Sequence, residues 1–262
     1  MSIKRIQALL AQEYFVTIHS LETFFDIFVF SFITLFLYGF FSLYLIGNEN
    51  MRAAQYLLLG MLFWEIVRVG QYSVSVASMW NIWFRNLTHL FVSPVSTLEY
   101  FTAHSLSGVV KAFSVFIIDA IITLVFFHFS VFEMDIGFLF LAFVNLAVFS
   151  ISTGIVIVGL IFRFGTRIQS FAWGLVPILQ PLTAAFFPVS VLPQPLQYFA
   201  YLFPTTYIFE ASRLHLDTHL YDWQALFVAV ILNILYLIGS VLFFQWFYTI
   251  SRNTGQFARN EA

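Results

Sequence analysis

Four ionisable residues stand well inside stretches of sequence that are otherwise apolar, Glu65, Arg68, Lys111 and Asp119, and a fifth, Asp26, lies near the cytoplasmic start of the first such stretch. Because a charged side chain in hydrocarbon is costly, each is a candidate functional residue. Glu65 and Arg68 are three positions apart, so on a helix they share a face and can pair. Two interpretations stay open: Glu65, Arg68 and Asp119 form a polar relay that rearranges as a substrate crosses, or they are paired charges that hold helices together. Lys111 is expected to extend toward the nearer membrane surface.

Signatures of enzyme chemistry are missing from the sequence. The chain has no cysteine, no G-x-x-x-x-G-K-[ST] phosphate loop, no G-x-S-x-G elbow and no G-x-G-x-x-G. His215 and His219 are four positions apart, but without a neighbouring carboxylate pattern we interpret them as an exposed loop end rather than a metal site. We therefore expect no catalysis, cofactor or metal in this chain. Any uphill movement must draw on an ion gradient or on a separate ATPase.

The composition of the chain predicts the kind of secondary structure that carries these charged residues. Hydrophobic residues make up 61% of the 262 positions and charged residues 9%, against about 25% charged in an average soluble domain. This predicts an all-α membrane protein, one transmembrane domain over residues 1–262, with six transmembrane helices of about 20 apolar residues. Five spans are clear, and a sixth contains Gln180 and two prolines. In order, we expect them near Phe24 to Ile46, Ala54 to Ala77, Ser105 to Phe129, Ile136 to Phe162, Ile168 to Phe187 and Trp223 to Tyr248.

The distribution of Lys and Arg predicts the orientation, because cytoplasmic loops retain positive charge during insertion. With both termini in the cytoplasm, the outer loops hold only Arg52 and Arg213. The inner segments then hold Lys4, Arg5, Arg85, Arg163, Arg167, Arg252 and Arg259. The net charge of −2 gives no reason to expect a nucleic-acid partner.

Two cytoplasmic segments are too polar to span. Residues 1–22 predict an amphipathic helix on the membrane surface, with Ile3, Ile6, Leu9, Leu10 and Phe15 opposite Lys4, Arg5, Gln12 and Glu13. The alternative is an ordinary lead-in to the first span. Residues 80–100 mix aromatic and polar side chains and are broken at Pro94, with Ser93 or Ser96 as a helix cap. This segment fits docking to a soluble partner, or a loop that lies along the membrane.

Six of the seven prolines fall within residues 177–204, so this stretch cannot be one continuous helix. We expect a span that ends near Pro188, followed by two short helices, Leu196 to Phe203 and Thr205 to Leu216, that dip into the outer leaflet. Such re-entrant elements commonly line transport routes. A merely structural outer cap is the alternative. Residues 188–216 are called the gate hairpin below.

Taken together, this layout resembles the membrane (permease) subunit of type-2 ABC exporters over nearly the full length. The most specific residues are the Leu192-Pro193 step, the Pro204-Thr-Thr-Tyr207 turn, the Glu210-x-x-Arg213 ending and the stretch Ser93-Pro-Val-Ser-Thr-Leu-Glu99. Family members usually have Asn-Pro where this chain has Phe203-Pro204, which affects the turn.

The resemblance implies an ATP-driven exporter subunit in a bacterial cytoplasmic membrane, paired with a second copy or a homologous permease. A separate ABC ATPase would bind ATP and Mg, and the cargo would be a polysaccharide, a lipid-linked glycan or a hydrophobic drug. It implies that the residues coupled to the ATPase are Lys4, Arg5, Glu13, Arg85, Asn86, Leu87, His89, Leu90 and Pro94. It implies an outer gate formed by Pro188, Pro193, Pro195, Pro204, Tyr207, Glu210 and Arg213. The rival hypothesis is a gradient-driven carrier or channel that uses Glu65, Arg68 and Asp119.

Overall fold

The computed structural model describes residues 1–47, 50–83 and 93–254, and this part of the chain is built of helices joined by short turns. The helices are α1 (Ile3–His19), α2 (Leu21–Gly47), α3 (Met51–Trp83), α4 (Thr97–Phe127), α5 (Ile136–Phe164), α6 (Phe171–Leu182), α7 (Gln194–Ala200), α8 (Pro204–Thr218) and α9 (Trp223–Asn253). Three short 3-10 turns lie at Val131–Glu133, Gly165–Ile168 and Val189–Val191.

Five of these helices, α2, α3, α4, α5 and α9, are long and apolar enough to cross a membrane. Each contains almost all of one span that the sequence predicts, and the observed helices extend beyond most of the predicted ends. The largest extension is at the start of α4, because Ser96 and Glu99 form a capping box that begins this helix well before the first strongly apolar residues. Of the two predicted caps, Ser93 and Ser96, the structure uses Ser96.

The interior of the bundle is formed by α3 and α5. In their most apolar windows 72% and 67% of the residues are buried, against 22% for α2 and α9. Ser150 and Gly154, a spacing that favours close helix packing, face α3. A Cβ atom at Gly154 would lie 2.7 Å from Cβ of Val74, so the small residue allows the two helices to approach closely.

The predicted sixth span corresponds only to α6, a helix of 12 residues. At 1.5 Å per residue it is about 18 Å long, shorter than the hydrocarbon core of about 30 Å. It ends at Leu182 rather than near Pro188, because the backbone turns at Ala184, whose φ of 52° is left-handed and ends a helix. The count of six crossings and the re-entrant path of the gate hairpin therefore stay predictions.

The gate hairpin contains the two short helices that the sequence predicts, α7 and α8. Pro195 and Pro204 lie in the first turns of these helices, where a missing backbone N–H costs nothing. Pro188 and Pro193 immediately precede short helical segments as their N-caps. The prolines thus set where each segment begins.

Candidate functional site

Arg68 on α3 is the centre of a polar cluster between α2 and α3. Its Nε and Nη2 lie 2.8 and 2.6 Å from the Glu65 carboxylate, and Ser31 donates to the same carboxylate at 2.5 Å. The guanidinium also donates to the backbone carbonyls of Asp26 at 2.8 Å and Ile27 at 3.2 Å. The predicted pairing of Glu65 with Arg68 is therefore present, and it includes the backbone of the neighbouring span.

These carbonyls belong to a π-helical turn, Phe25–Val29, inside α2. A π turn disturbs the regular hydrogen-bond ladder of a helix, and such turns are frequent at functional sites. Arg68 supplies donors to this turn, so one side chain neutralises Glu65 and satisfies irregular backbone at the same time. This joint role favours the packing interpretation for Arg68.

Asp119 on α4 faces the same region of the bundle. It is 1% exposed, and its Oδ2 has no hydrogen-bond partner among the described residues. Asp119 is close enough to interact electrostatically with Glu65 and Arg68. The structure thus brings the three predicted relay residues into one region of the bundle.

Three residues near this cluster were not selected from the sequence as site residues. Gln71 donates to Ser75 at 2.6 Å and to the carbonyl of Ala172 at 3.0 Å, which joins α3 to α6. Tyr72 and Trp173 donate to the Asp26 carboxylate at 2.7 and 3.4 Å. Asp26 is an ionisable residue near the start of the first predicted span, which identifies it from the sequence. Tyr72 and Trp173 do not stand out in the same way, because aromatic residues make up 21% of the chain.

Helix α1 is fastened to α4 by two groups of charges, which we call the α1 clamp. Arg5 pairs with Glu99 at 2.7 Å, and the backbone N–H of Ser2 donates to the same carboxylate. Glu13 pairs with Lys111 at 2.9 Å and lies 3.3 Å from Nδ1 of His104. Lys111 is thus held by a carboxylate on α1.

Glu13 differs from its predicted place on the polar face of α1, since it is buried against α4. Burial by itself would raise the pKa of Glu13, but the hydrogen bonds and charges of His104 and Lys111 outweigh burial and lower this pKa to about 2. Ile6 and Leu9 pack beside it on Ala103. Ile3 and Phe15, predicted on the apolar face, are exposed in the isolated chain, and so is Lys4.

The gate hairpin is fastened by Arg213 on α8. Its guanidinium donates to the carbonyl of Ala184 and, at 2.7 Å, to that of Phe187, the two ends of the turn after α6. Glu210 lies 3.5 Å from Arg213 and accepts the N–H of Val189 at 2.7 Å. Glu210 and Arg213, two of the predicted gate residues, therefore hold the turn between α6 and the hairpin.

Tyr207, the other predicted gate residue of α8, is half-buried. Its ring lies 5.4 Å from the ring of Tyr201, next to the turn that connects α7 and α8. Thr206 donates to the carbonyl of Ala200 at 2.7 Å and closes that turn.

His215 is buried, so the prediction of an exposed loop end was wrong for this residue and holds for His219. The ring of His215 stacks on Phe138 at 4.3 Å. Its Nε2 accepts the N–H of Asp135 at 3.3 Å, and its Nδ1 faces the carbonyl of Leu220 at 3.1 Å. No group of histidine, aspartate and glutamate side chains in the described ranges could hold a metal ion.

The predicted coupling residues between the second and third spans cannot be placed. Arg85, Asn86, Leu87, His89 and Leu90 lie outside the described residues. Pro94 is described and exposed, two positions before the cap of α4.

Comparison with known proteins gives one clear match. The sequence model of the ABC-2 type transporter family matches residues 4–216, which include the ion pairs of the α1 clamp, the polar cluster and the whole gate hairpin. A search of curated proteins finds no match. With most of its length covered by that model and five helices able to span a membrane, the chain belongs to the ABC-2 type transporter family and is an integral, multi-pass membrane permease.

Proposed function

We propose that the chain is the membrane subunit of an ATP-driven exporter, working as a dimer with two copies of a separate ABC ATPase. The observation that carries this proposal is the α1 clamp, which joins α1 to the first half of α4. Residues 80–100, the predicted docking segment, include the first residues of α4, and α1 is ion-paired to α4 at Glu99 in that first turn and at Lys111 near the middle of the helix. A displacement of the docking segment would therefore move α1 and α4 together.

In this mechanism the partner ATPase binds ATP and Mg, and its closure displaces the docking segment. Glu99 and Glu13 hold α1 on α4 during that movement, so the force reaches the start of a membrane span. The opposite end of the route is closed by the gate hairpin, whose position Arg213 maintains. Export then consists of opening a path between two permease subunits while the hairpins separate.

An assembly experiment tests the coupling. Arg85→Glu in the docking segment should reduce both co-purification of the ATPase and its permease-dependent ATP turnover. Arg52→Glu is the matched control, because Arg52 is exposed and lies at the start of α3 on the predicted outer side. If Arg85→Glu leaves assembly and turnover at the level of Arg52→Glu, the docking proposal fails.

The cargo of the exporter is proposed at the level of its chemical class. A polysaccharide, a lipid-linked glycan and a hydrophobic drug all remain compatible with apolar spans rich in phenylalanine. Co-purification of cargo with a complex stalled by an ATPase variant that binds but does not hydrolyse ATP would identify the class.

The second candidate function is a gradient-driven carrier, favoured by the buried carboxyl of Asp119 beside Glu65 and Arg68. It predicts ion-coupled flux in liposomes that contain this chain alone, lost in Asp119→Asn or Glu65→Gln. Absence of flux without an ATPase would eliminate it.

A further inference from the structure

A cavity of about 180 Å³ opens between α2, α3 and α6, near the start of α2. Its walls combine three aromatic rings, from Phe30, Tyr72 and Trp173, with the charged groups of Asp26 and Arg68. Ligand sites typically pair apolar walls with a few oriented polar groups. The volume is smaller than that of a typical drug site, which is about 300–1,000 Å³. The cavity therefore suits a single small group.

The carboxylate of Asp26 lines this cavity and is held by neutral side chains. Tyr72 and Trp173 each donate a hydrogen bond to its Oδ2. Arg68 donates to the backbone carbonyl of Asp26, and in the described part of the chain no basic side chain forms an ion pair with its carboxylate. Both hydrogen-bond donors to this half-buried carboxylate are neutral side chains.

Arg68 does not offset that charge, because Glu65 already pairs with it at 2.6 Å. Two carboxylates, Asp26 and Glu65, face one guanidinium, which leaves an excess of one negative charge beside the cavity. A cationic ligand would balance this excess, whereas an anion would meet repulsion from both carboxylates.

The aromatic rings of the cavity also favour a cationic ligand. The faces of tryptophan and tyrosine attract cations, and quaternary ammonium groups are recognised by such rings. Trp173 and Phe30 both line the cavity, and they are 37% and 54% exposed. Trp173 is also stacked on Trp83, which fixes its ring plane.

We propose that this cavity binds an alkylammonium group, with the Asp26 carboxylate as its counter-ion and Tyr72 and Trp173 as its aromatic walls. The group is carried either by a small soluble cation or by the headgroup of a membrane lipid. This inference deepens the proposed function. The assignment of the bound group as cargo rests on the proposed export function, whereas binding in the cavity does not. Binding itself needs no ATPase, so its failure and the failure of ATP-driven export are separate results.

The test is equilibrium binding of radiolabelled choline to the full chain in phosphatidylglycerol nanodiscs, which contain no amine headgroup. We expect saturable binding that weakens by at least about tenfold in Asp26→Asn, the loss of one charged contact. Glu22→Gln is the matched control, because it removes the same charge from an exposed position one helical turn earlier and should change the affinity by less than about twofold. Trp173→Leu keeps the carboxylate and removes a ring, so it should also weaken binding.

Nanodiscs of phosphatidylcholine distinguish the two sources. A lipid headgroup as the natural occupant predicts that choline binds more weakly there, whereas a soluble cation predicts equal binding in both lipids. The proposal is overturned if choline does not saturate a site, if Asp26→Asn and Glu22→Gln weaken binding equally, or if inorganic phosphate competes for the site through Arg68. Thermal unfolding of each variant checks that the loss is not a loss of fold.

Discussion

At the gate hairpin a buried arginine is held mainly by backbone carbonyls, whereas at the α1 clamp charged side chains hold one another. Arg213 donates to Ala184 and Phe187, whose carbonyls cannot titrate. Glu13 and Glu99 are carboxylates that pair with side chains of the neighbouring helix. The turn held by Arg213 is therefore insensitive to protonation of its carbonyls, whereas the α1 clamp depends on the charge state of its carboxylates.

Substitution of Arg213 in the gate hairpin should destabilise the protein more than any other change considered below. Arg213→Ala leaves two carbonyls of a buried turn without their donor, and should lower the free energy of unfolding by about 3 kcal/mol. Denaturant titration in detergent, followed by tryptophan fluorescence, measures this loss. Arg213→Lys keeps the charge with fewer hydrogen-bond donors, so its free energy of unfolding should lie between those of the wild type and Arg213→Ala. A loss no greater than that of the exposed Arg52→Ala would contradict the role of Arg213 as a support.

A substitution in the α1 clamp should cost less free energy than Arg213→Ala, and its effect should be confined to α1. Glu13→Gln leaves the half-buried Lys111 without its carboxylate partner and should weaken the docking of α1 by on the order of 2 kcal/mol. Hydrogen exchange should accelerate in α1 while α5 is unchanged. Gln12→Glu is a control on the exposed face of the same helix. If α1 exchanges at the wild-type rate in Glu13→Gln, the clamp does not hold the helix.

The two regions should also differ in their dependence on pH. The pKa of Glu13 is lowered to about 2 from an ordinary 4.5, so its stabilising contribution is complete above pH 4.5 and is lost as pH falls toward 2. Exchange of α1 should accelerate over that window in the wild type, and less in Glu13→Gln. Equal slopes in the two proteins would show that another group controls the release of α1.

The smallest effect is expected at the other half of the clamp. Arg5 is more than one-third exposed, so solvent screens its pairing with Glu99, and Arg5→Gln should change α1 exchange less than Glu13→Gln does. The backbone N–H groups of Ser2 and Ser96 continue to bind Glu99 in that variant. A larger effect than that of Glu13→Gln would reverse the order of the two anchors.

Apolar length and local spacing sufficed to predict the five long helices and the pairing of Glu65 with Arg68. Glu13 was misplaced because its burial depends on Lys111 and His104, which are 98 and 91 residues away in sequence and on another helix. His215 was misplaced for a similar reason, since the ring that covers it is Phe138. The length of α6 depends on the turn at Ala184, which Arg213 holds from α8. In each case a contact between distant helices decided the outcome, and helical periodicity carries no information about such contacts.

The central claim is that α1 and α4 move as one unit when the ATPase closes. The chain has no cysteine, so Leu9→Cys with Ala103→Cys introduces one thiol pair at a place where these side chains pack together. ATP turnover of the complex with its ATPase is then compared between the oxidised and reduced states, with cross-linking verified by mass spectrometry. The account predicts equal turnover in the two states. Turnover that stops on oxidation and returns on reduction would mean that α1 must separate from α4, and would contradict it.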